Sequence, residues 1–348
     1  MRIFLWIFTL LLALPVCAAE IHFGFGDYPE GATPTNFQAV LAGDGQPGVW
    51  QVISTETPSA FGGFNSNAPA SNRSRVLAQT SQDLTDEHFP MFLFTGERFR
   101  TFNFTTRFKI VSGITEQMAG VVFRYQNASN YYVVRANALG RNVRFYKVVN
   151  GQRSDPIGPD VDVTAGVWHS LGVQCEGNQI KISFDGKPVM PALGDNTFTE
   201  GQLGFRTKSD AVCYFTDAMV DYTPIVPAAQ LIVNGIMVKE PRILGLQIYT
   251  AQTNGATAVI ASKDKTDLGK PGAEAEANAI KDGTVSYARE KGAVVLILPL
   301  HDRNGEFIAA VRLRLKSFLG ETQDTAVARA RIVVKNIQDQ VMSEQDLL

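Results

Sequence analysis

The sequence predicts a mainly β protein: a β-sandwich or barrel followed by a smaller α+β region. Three observations carry that prediction. Residues 101–110 alternate cleanly, with Phe102, Phe104, Thr106, Phe108 and Ile110 on one side and Asn103, Thr105, Arg107 and Lys109 on the other. A period of two describes a half-buried antiparallel strand. Strand-like runs then recur at 120–126, 131–137, 143–149, 168–176, 179–185, 202–207 and 211–221, with no helical period between them. Many short strands at regular spacing mean a sandwich or barrel. Finally, the chain holds 22 Phe, 3 Trp and 9 Tyr, yet beyond Pro224 only Tyr249, Tyr287, Phe307 and Phe318 occur. The segment Tyr222-Thr223-Pro224-Ile225-Val226-Pro227 brings two prolines to this change and reads as a linker.

In chain order, residues 1–19 read as an export signal. Arg2 precedes an apolar run from Ile3 to Val16, which is too short to span a bilayer comfortably, and small residues follow at Cys17, Ala18 and Ala19. Cleavage is expected near Ala18/Ala19. Cys17 also permits a lipoprotein reading, against which Pro15 and Val16 stand where small residues are usual. No other stretch is long and apolar enough to cross a membrane, so the mature chain is expected to be periplasmic or secreted. Cys175 and Cys213 then remain as an even pair in an oxidising compartment. They either close a disulfide or sit as two separate buried thiols.

Within 20–224, Asn150-Gly151, Gly177-Asn178 and Asp185-Gly186 supply turn residues that tolerate positive φ. Beyond the linker, 225–348 has mixed character. Residues 228–249 look partly helical, broken by Pro241 and Gly245, and 256–262 form a short β-branched run. Residues 293–300 and 306–315 look like strands joined across Asn304-Gly305. Ala326, Ala330, Val333, Ile337 and Val341 recur at helical spacing, predicting an amphipathic helix over 322–341.

The segments Gly120-Val121-Val122-Phe123-Arg124-Tyr125, Asn130-Tyr131-Tyr132-Val133-Val134-Arg135 and Gly201-Gln202-Leu203-Gly204-Phe205-Arg206 resemble the concanavalin-like, laminin-G-like jelly-roll domains of exported bacterial proteins. Trp168-His169 and Phe184-Asp185-Gly186-Lys187 fit the same pattern. The resemblance covers about 20–224 and is nearest the branch often labelled 3-keto-disaccharide hydrolase. Val259-Ile260-Ala261-Ser262, Leu268-Gly269-Lys270 and Leu298-Pro299-Leu300-His301-Asp302 resemble extracytoplasmic Cache domains, PAS-like ligand sensors. Here the pattern departs from the usual one, since no transmembrane helix follows.

Composition excludes several functions. Lys and Arg total 32 against 34 Asp and Glu, a net of −2, so the chain lacks the basic field that grips nucleic acid. His22, His88, His169 and His301 lie far apart, with no local spacing for a metal. No cofactor motif occurs: Gly24-x-Gly26 and Gly62-Gly63 do not open helices. Glycosidases need paired carboxylates across the scissile bond, and the related glucanases carry theirs on one strand. No strand here has that triplet. The nearest acidic cluster, Asp83, Asp86 and Glu87 beside His88, reads as a solvated turn, and His169 reads as a packed or capped side chain. No catalytic residue is therefore assigned, although a hydrolase with carboxylates gathered from several strands stays open.

Arg124, Tyr125, Tyr131, Tyr132, Arg135, Arg144 and Tyr146 fall on three neighbouring predicted strands. Aromatic faces cover sugar C–H surfaces, and Arg groups bond hydroxyls. The same residue types also decorate any soluble sheet as cross-strand pairs. Arg124, Tyr125, Tyr131 and Arg135 are the candidate carbohydrate contacts, by parity with Tyr131 and Arg135 on one face and Arg124 sharing one with Gln126. In the second region, Tyr287 and Arg289 are candidates for a small organic ligand, Arg289 through its forked donors, with a solvated turn as the alternative.

Overall fold

The structure is a computed structural model and describes residues 18–59, 71–252 and 255–347. The apolar leader and Cys17 lie outside the described residues. Two compact units meet in sequence between Ile225 and Val226.

The first unit is a concanavalin-like sandwich of two antiparallel sheets. One sheet has nine strands: β1 (Ala19–Phe23), β3 (Trp50–Pro58), β4 (Ser71–Gln79), β6 (Thr101–Ser112), β11 (Trp168–Glu176), β12 (Gln179–Phe184), β13 (Lys187–Pro188), β14 (Leu193–Gly194) and β16 (Val212–Thr223). Their order is β13-β12-β11-β6-β16-β4-β3, with β1 on β16 and β14 on β12. The other has seven: β2 (Phe37–Gly43), β5 (His88–Phe94), β7 (Met118–Asn127), β8 (Asn130–Asn137), β9 (Asn142–Val149), β10 (Gln152–Arg153) and β15 (Gln202–Thr207). These run β10-β9-β8-β7-β15-β5-β2. Asn150 and Gly151 take φ of 51° and 80° to turn β9 into β10, as a tight hairpin requires.

The predicted alternation of β6 holds: Phe102, Phe104, Thr106, Phe108 and Ile110 are all buried. They meet the inner face of the seven-stranded sheet in one aromatic-rich core. Phe92 is stacked by Phe37 at 5.0 Å and by Trp50 at 5.1 Å, the latter arriving from the opposite sheet. Such ring pairs add about 0.5–1.5 kcal/mol beyond their area. His169 is packed as expected, stacked on Phe184 at 4.9 Å with Nδ1 2.8 Å from Asp185 Oδ2.

In this unit the reading of Arg124 is corrected and the alternatives for the cysteines are decided. The pairing of β7 shifts register between Phe123 and Asn127, and Arg124 takes a φ of 46°. This bulge breaks the parity that put Arg124 beside Gln126 on a sugar-facing surface. Arg124 is 1 % exposed, and its guanidinium donates to the carbonyls of Phe198 (2.8 Å), Gly177 (2.6 Å) and Arg100 (3.2 Å). It ties loops together and is not a ligand contact. Cys175 and Cys213 are both free and buried. They pair across β6 with Phe102 and Ile110 respectively, eight positions or roughly 26 Å apart at about 3.3 Å per residue. A disulfide needs Cα atoms within about 7 Å, so these thiols cannot bridge.

The second unit is a five-stranded antiparallel sheet in the order β18-β17-β21-β20-β19, from β17 (Ile243–Ala251), β18 (Thr257–Ser262), β19 (Ser286–Glu290), β20 (Ala293–His301) and β21 (Phe307–Lys316). Helices α1 (Ala228–Lys239) and α3 (Gln323–Gln338) supply Ala229, Val233, Ala330 and Ile337 to the core on one face. Helix α2 (Glu274–Asp282) packs Ala279 against Tyr249, Ile297 and Ala310 on the other. The α3 helix starts where its sequence period predicts, capped by Thr322 Oγ1 accepting from the Thr325 amide at 3.3 Å. Helix α1 stops at Lys239, before Pro241. Residues 243–249, expected to be partly helical, are strand, because their apolar run is buried between β18 and β21.

Candidate functional site

Alternation on the seven-stranded sheet sends a second set of side chains to the outer face. Phe89, Met91 and Leu93 from β5, Val122 and Tyr125 from β7, Tyr131 and Val133 from β8, and Tyr146 and Val148 from β9 form one buried cluster there. Arg206 on β15 lies over Phe89, its guanidinium carbon 4.2 Å from the ring centroid, and Nη1 donates to the Tyr146 hydroxyl at 2.5 Å. Arg206 is 2 % exposed and its Nε has no hydrogen-bond partner among the described residues.

Beside this cluster a cleft of about 150 Å³ opens, lined by Glu116, Met118, Arg135, Asn137, Tyr146, Arg153, Pro156 and Lys208. Gly120 packs tightly against the strand that carries Arg135. A Cβ there would stand 2.7 Å from the Val134 carbonyl oxygen and 3.0 Å from Arg135 Cβ. Lys208 Nζ donates to Glu116 Oε1 at 2.8 Å and to Asp86 Oδ1 at 2.6 Å, while Asn137 Nδ2 donates to Glu116 Oε2 at 3.2 Å. Arg135 donates to Asn142 Oδ1. The Arg153 guanidinium carbon sits 5.7 Å from the Tyr146 centroid, and that of Arg206 5.6 Å. Two cations therefore share one ring, each contact being worth about 0.5–2 kcal/mol according to its desolvation.

The surrounding loops fix these groups. Asp210 accepts from the amides of Ile114 (2.5 Å), Thr115 (3.0 Å) and Glu116 (3.0 Å), which sets the loop that presents Glu116. Burial works against the Asp210 charge, but these three donors outweigh it and lower its pKa. The Lys208 hydrogen bond lowers Asp86. Burial opposes the Lys208 ammonium, but its two carboxylates prevail and raise it. The neighbouring turn is also organised: Asp83 is lowered to about 2, first by the Gln46 amide and then by Thr85.

Of the sequence candidates, Arg135 lies in the cleft. Tyr125 and Tyr131 share the outer face but are buried, 7 % and 2 % exposed, with ring centroids 6.0 Å apart. They form its floor and offer no open ring to a sugar, which corrects their reading as direct contacts. Glu116, Asn137, Arg153 and Lys208 were not singled out. The alternation Gly204, Arg206, Lys208, running one residue past the end of β15, could have revealed Lys208, whereas Glu116 and Arg153 lie in a loop and an edge strand with no periodic signal.

In the second unit, Tyr287 and Arg289 stand outside the lining of its two clefts. Tyr287 is half-buried against the core, and exposed Arg289 donates through Nη2 to the Glu321 carbonyl near the start of α3. The opposite face instead carries a cleft of about 320 Å³ whose lining includes Gln247, Lys263, Asp267, Glu290, Arg312 and Arg314. There Arg312 Nη1 lies 3.2 Å from fully buried Glu276, and Arg314 Nε donates to Glu290 at 2.9 Å. A wider hollow of about 500 Å³ beside α3 has exposed cations, Arg331 and Lys335, at its rim. Among the described residues, no group of three or more His, Cys, Asp or Glu could hold a metal ion, and no helix is long and apolar enough to cross a membrane.

Residues 75–208 match the model of the beta xylosidase C-terminal concanavalin A-like domain. No curated protein matches the chain. Among solved structures, the carbohydrate-binding module CBM66 from Bacillus subtilis is 21 % identical, covering 49 % of this chain and 94 % of its own, at a TM-score of 0.38. A native glycosidic hydrolase is 11 % identical, covering 60 % and 97 % at 0.37. CG-16, a homodimeric agglutinin from chicken liver, is 12 % identical, covering 34 % and 94 % at 0.28. The fold assignment rests on the two sheets and the family match, since none of these three reaches a TM-score of 0.5.

Proposed function

We propose that the first unit binds a carbohydrate without cleaving it, through the cleft between Glu116, Arg135, Arg153 and Lys208. The carrying observation is that the match to the beta xylosidase C-terminal domain spans 75–208 and contains every lining residue of that cleft. A glycan array of neutral and acidic oligosaccharides tests it. Binding is expected to at least one glycan and to fall in Arg135→Ala and Arg153→Ala, and a blank array overturns the reading.

Cleavage is disfavoured by the state of the acids. Retaining hydrolysis needs a nucleophile and a second carboxyl held protonated as general acid. Here Glu116 is bonded by Lys208 and Asn137, and Asp86 is lowered by Lys208. Incubation with glucans, disaccharides and keto-disaccharides should release no new reducing sugar.

The organisation that fits is a leader of 1–19, a sandwich domain of 20–224 and a second domain of 225–348, with the mature protein periplasmic or secreted. The division between Ile225 and Val226 supports the two domains. We read the second domain as Cache-like and as an accessory sensor, because its sheet order, counted within the unit, is 2-1-5-4-3 with helices on both faces. Its ligand would be a small carboxylate at Arg312 and Arg314. Thermal shifts of the full chain with amino acids and short carboxylates check this: a shift absent from Arg312→Ala supports it, and a flat panel removes it.

A further inference from the structure

We infer that the sugar held in the sandwich cleft carries a carboxylate, so that the ligand is a uronic-acid-bearing oligosaccharide. This rests on the carbohydrate-binding reading of the same cleft. Its basis is the balance of donors and acceptors. A neutral sugar ring offers hydroxyls that donate as well as accept, so its site needs acceptors of its own. The carboxylates here are already engaged by protein donors. Glu116 gives Oε1 to Lys208 and Oε2 to Asn137, and Asp86 is taken by the same ammonium. The donors are in surplus. Arg135 makes one side-chain hydrogen bond among the described residues, to Asn142, and Arg153 makes none, resting only on the Tyr146 ring. Behind that ring, buried Arg206 adds a third guanidinium with an unpartnered Nε.

Charge points the same way. The lining sets Arg135, Arg153 and Lys208 against the single carboxylate Glu116. A carboxylate accepts only, and its two oxygens match the fork of a guanidinium. The volume, about 150 Å³, admits a small group and not an extended chain, so the acid-bearing ring would sit in the cleft and its neighbours along the sheet.

Calorimetry on the full chain tests this with galacturonate, glucuronate and alginate oligosaccharides, each against its carboxyl-reduced counterpart. At least one acidic form should bind about tenfold or more tighter than its neutral partner, the size of a charge-assisted hydrogen bond. That preference should vanish in Arg153→Gln and shrink as salt rises. Arg153 is exposed on a two-residue edge strand, so this variant keeps the fold, and Arg135→Gln with a matched melting curve is the second variant. Equal binding of acidic and neutral forms, still sensitive to Arg153→Gln, overturns the inference and leaves the carbohydrate reading standing. Binding of neutral array glycans alone does the same. No binding to any glycan overturns both.

Discussion

Arg124, in the seven-stranded sheet, donates to the carbonyl of Gly177, in the β11–β12 turn of the opposing sheet, at 2.6 Å. The guanidinium thereby clamps the sandwich layers at one end, with the Phe198 and Arg100 carbonyls completing its bonds. Arg124→Ala leaves three part-buried carbonyls without their shared donor. It should cost about 1–3 kcal/mol, as loss of the partner of buried polar groups does. The neighbouring Arg100 pairs with Glu200 at the surface, with Arg100 57 % exposed, and Arg100→Ala should cost under about 1 kcal/mol. Urea midpoints read both values, and equal losses would sink the clamp.

The Tyr132 hydroxyl bonds Asp195, which also accepts from Lys147 Nζ at 2.7 Å and the Thr197 amide at 2.7 Å. Burial, helped by the bond to Asp195, pushes Tyr132 up to about 12. Burial opposes the Asp195 charge, but the Lys147, Tyr132 and Thr197 bonds overcome it and hold the carboxyl well below its usual range. The folded state thus keeps the tyrosine proton more tightly than the unfolded chain. That contribution is complete below about pH 10 and lost as pH rises through about 12. For Asp195 the sign reverses: its contribution is present above about pH 4 and lost as pH falls through the depressed folded value. Denaturation across pH should show Tyr132→Phe removing part of the alkaline decline and Asp195→Asn part of the acid one. Unchanged limbs in both variants would refute the network.

Burial also governs the two thiols. It pushes Cys175 up to about 12 and Cys213 higher still, although Arg124 works slightly against it at Cys175. A thiol needs its thiolate to react, so both should resist iodoacetamide in the native protein and label fully in denaturant. Mass spectrometry of the two peptides without reduction provides the count. A linked pair, or rapid native labelling of either, contradicts the burial seen here.

What the sequence made legible were features fixed by neighbours along the chain. The Phe102 to Ile110 alternation, the Asn150-Gly151 turn and the Ala326 to Ile337 helical stripe all appear where local pattern puts them. The failures lie where distant partners decide. Parity past Phe123 fails because a bulge set by pairing with β8 and β15 reverses Arg124. Tyr287 and Arg289 do share a face, but Tyr287 leans on the core and Arg289 is drawn to the Glu321 carbonyl. Tyr125 and Tyr131 reach the outer face and are then buried by a cluster drawn from five strands. Arg135 was found because it lies on a regular strand, whereas Glu116 owes its position to Asp210, ninety-four residues away.

Gly120 and Arg135 face each other across β7 and β8, and Arg135 lines the cleft. With a Cβ at position 120 only 3.0 Å from Arg135 Cβ and 2.7 Å from the Val134 oxygen, Gly120→Ala must displace one strand or the arginine. Overpacking of this kind costs about 1–3 kcal/mol, which a melting curve will register. The sharper readout is affinity for whichever oligosaccharide the array identifies. Gly120→Ala should weaken it by misplacing Arg135, and Arg135→Ala should weaken it by removing the same group. Two routes to one loss are not additive, so the double variant should bind about as weakly as Arg135→Ala alone. Independent, additive losses would mean that Gly120 shapes some other contact, and parental affinity in Gly120→Ala would remove Arg135 from the binding surface altogether.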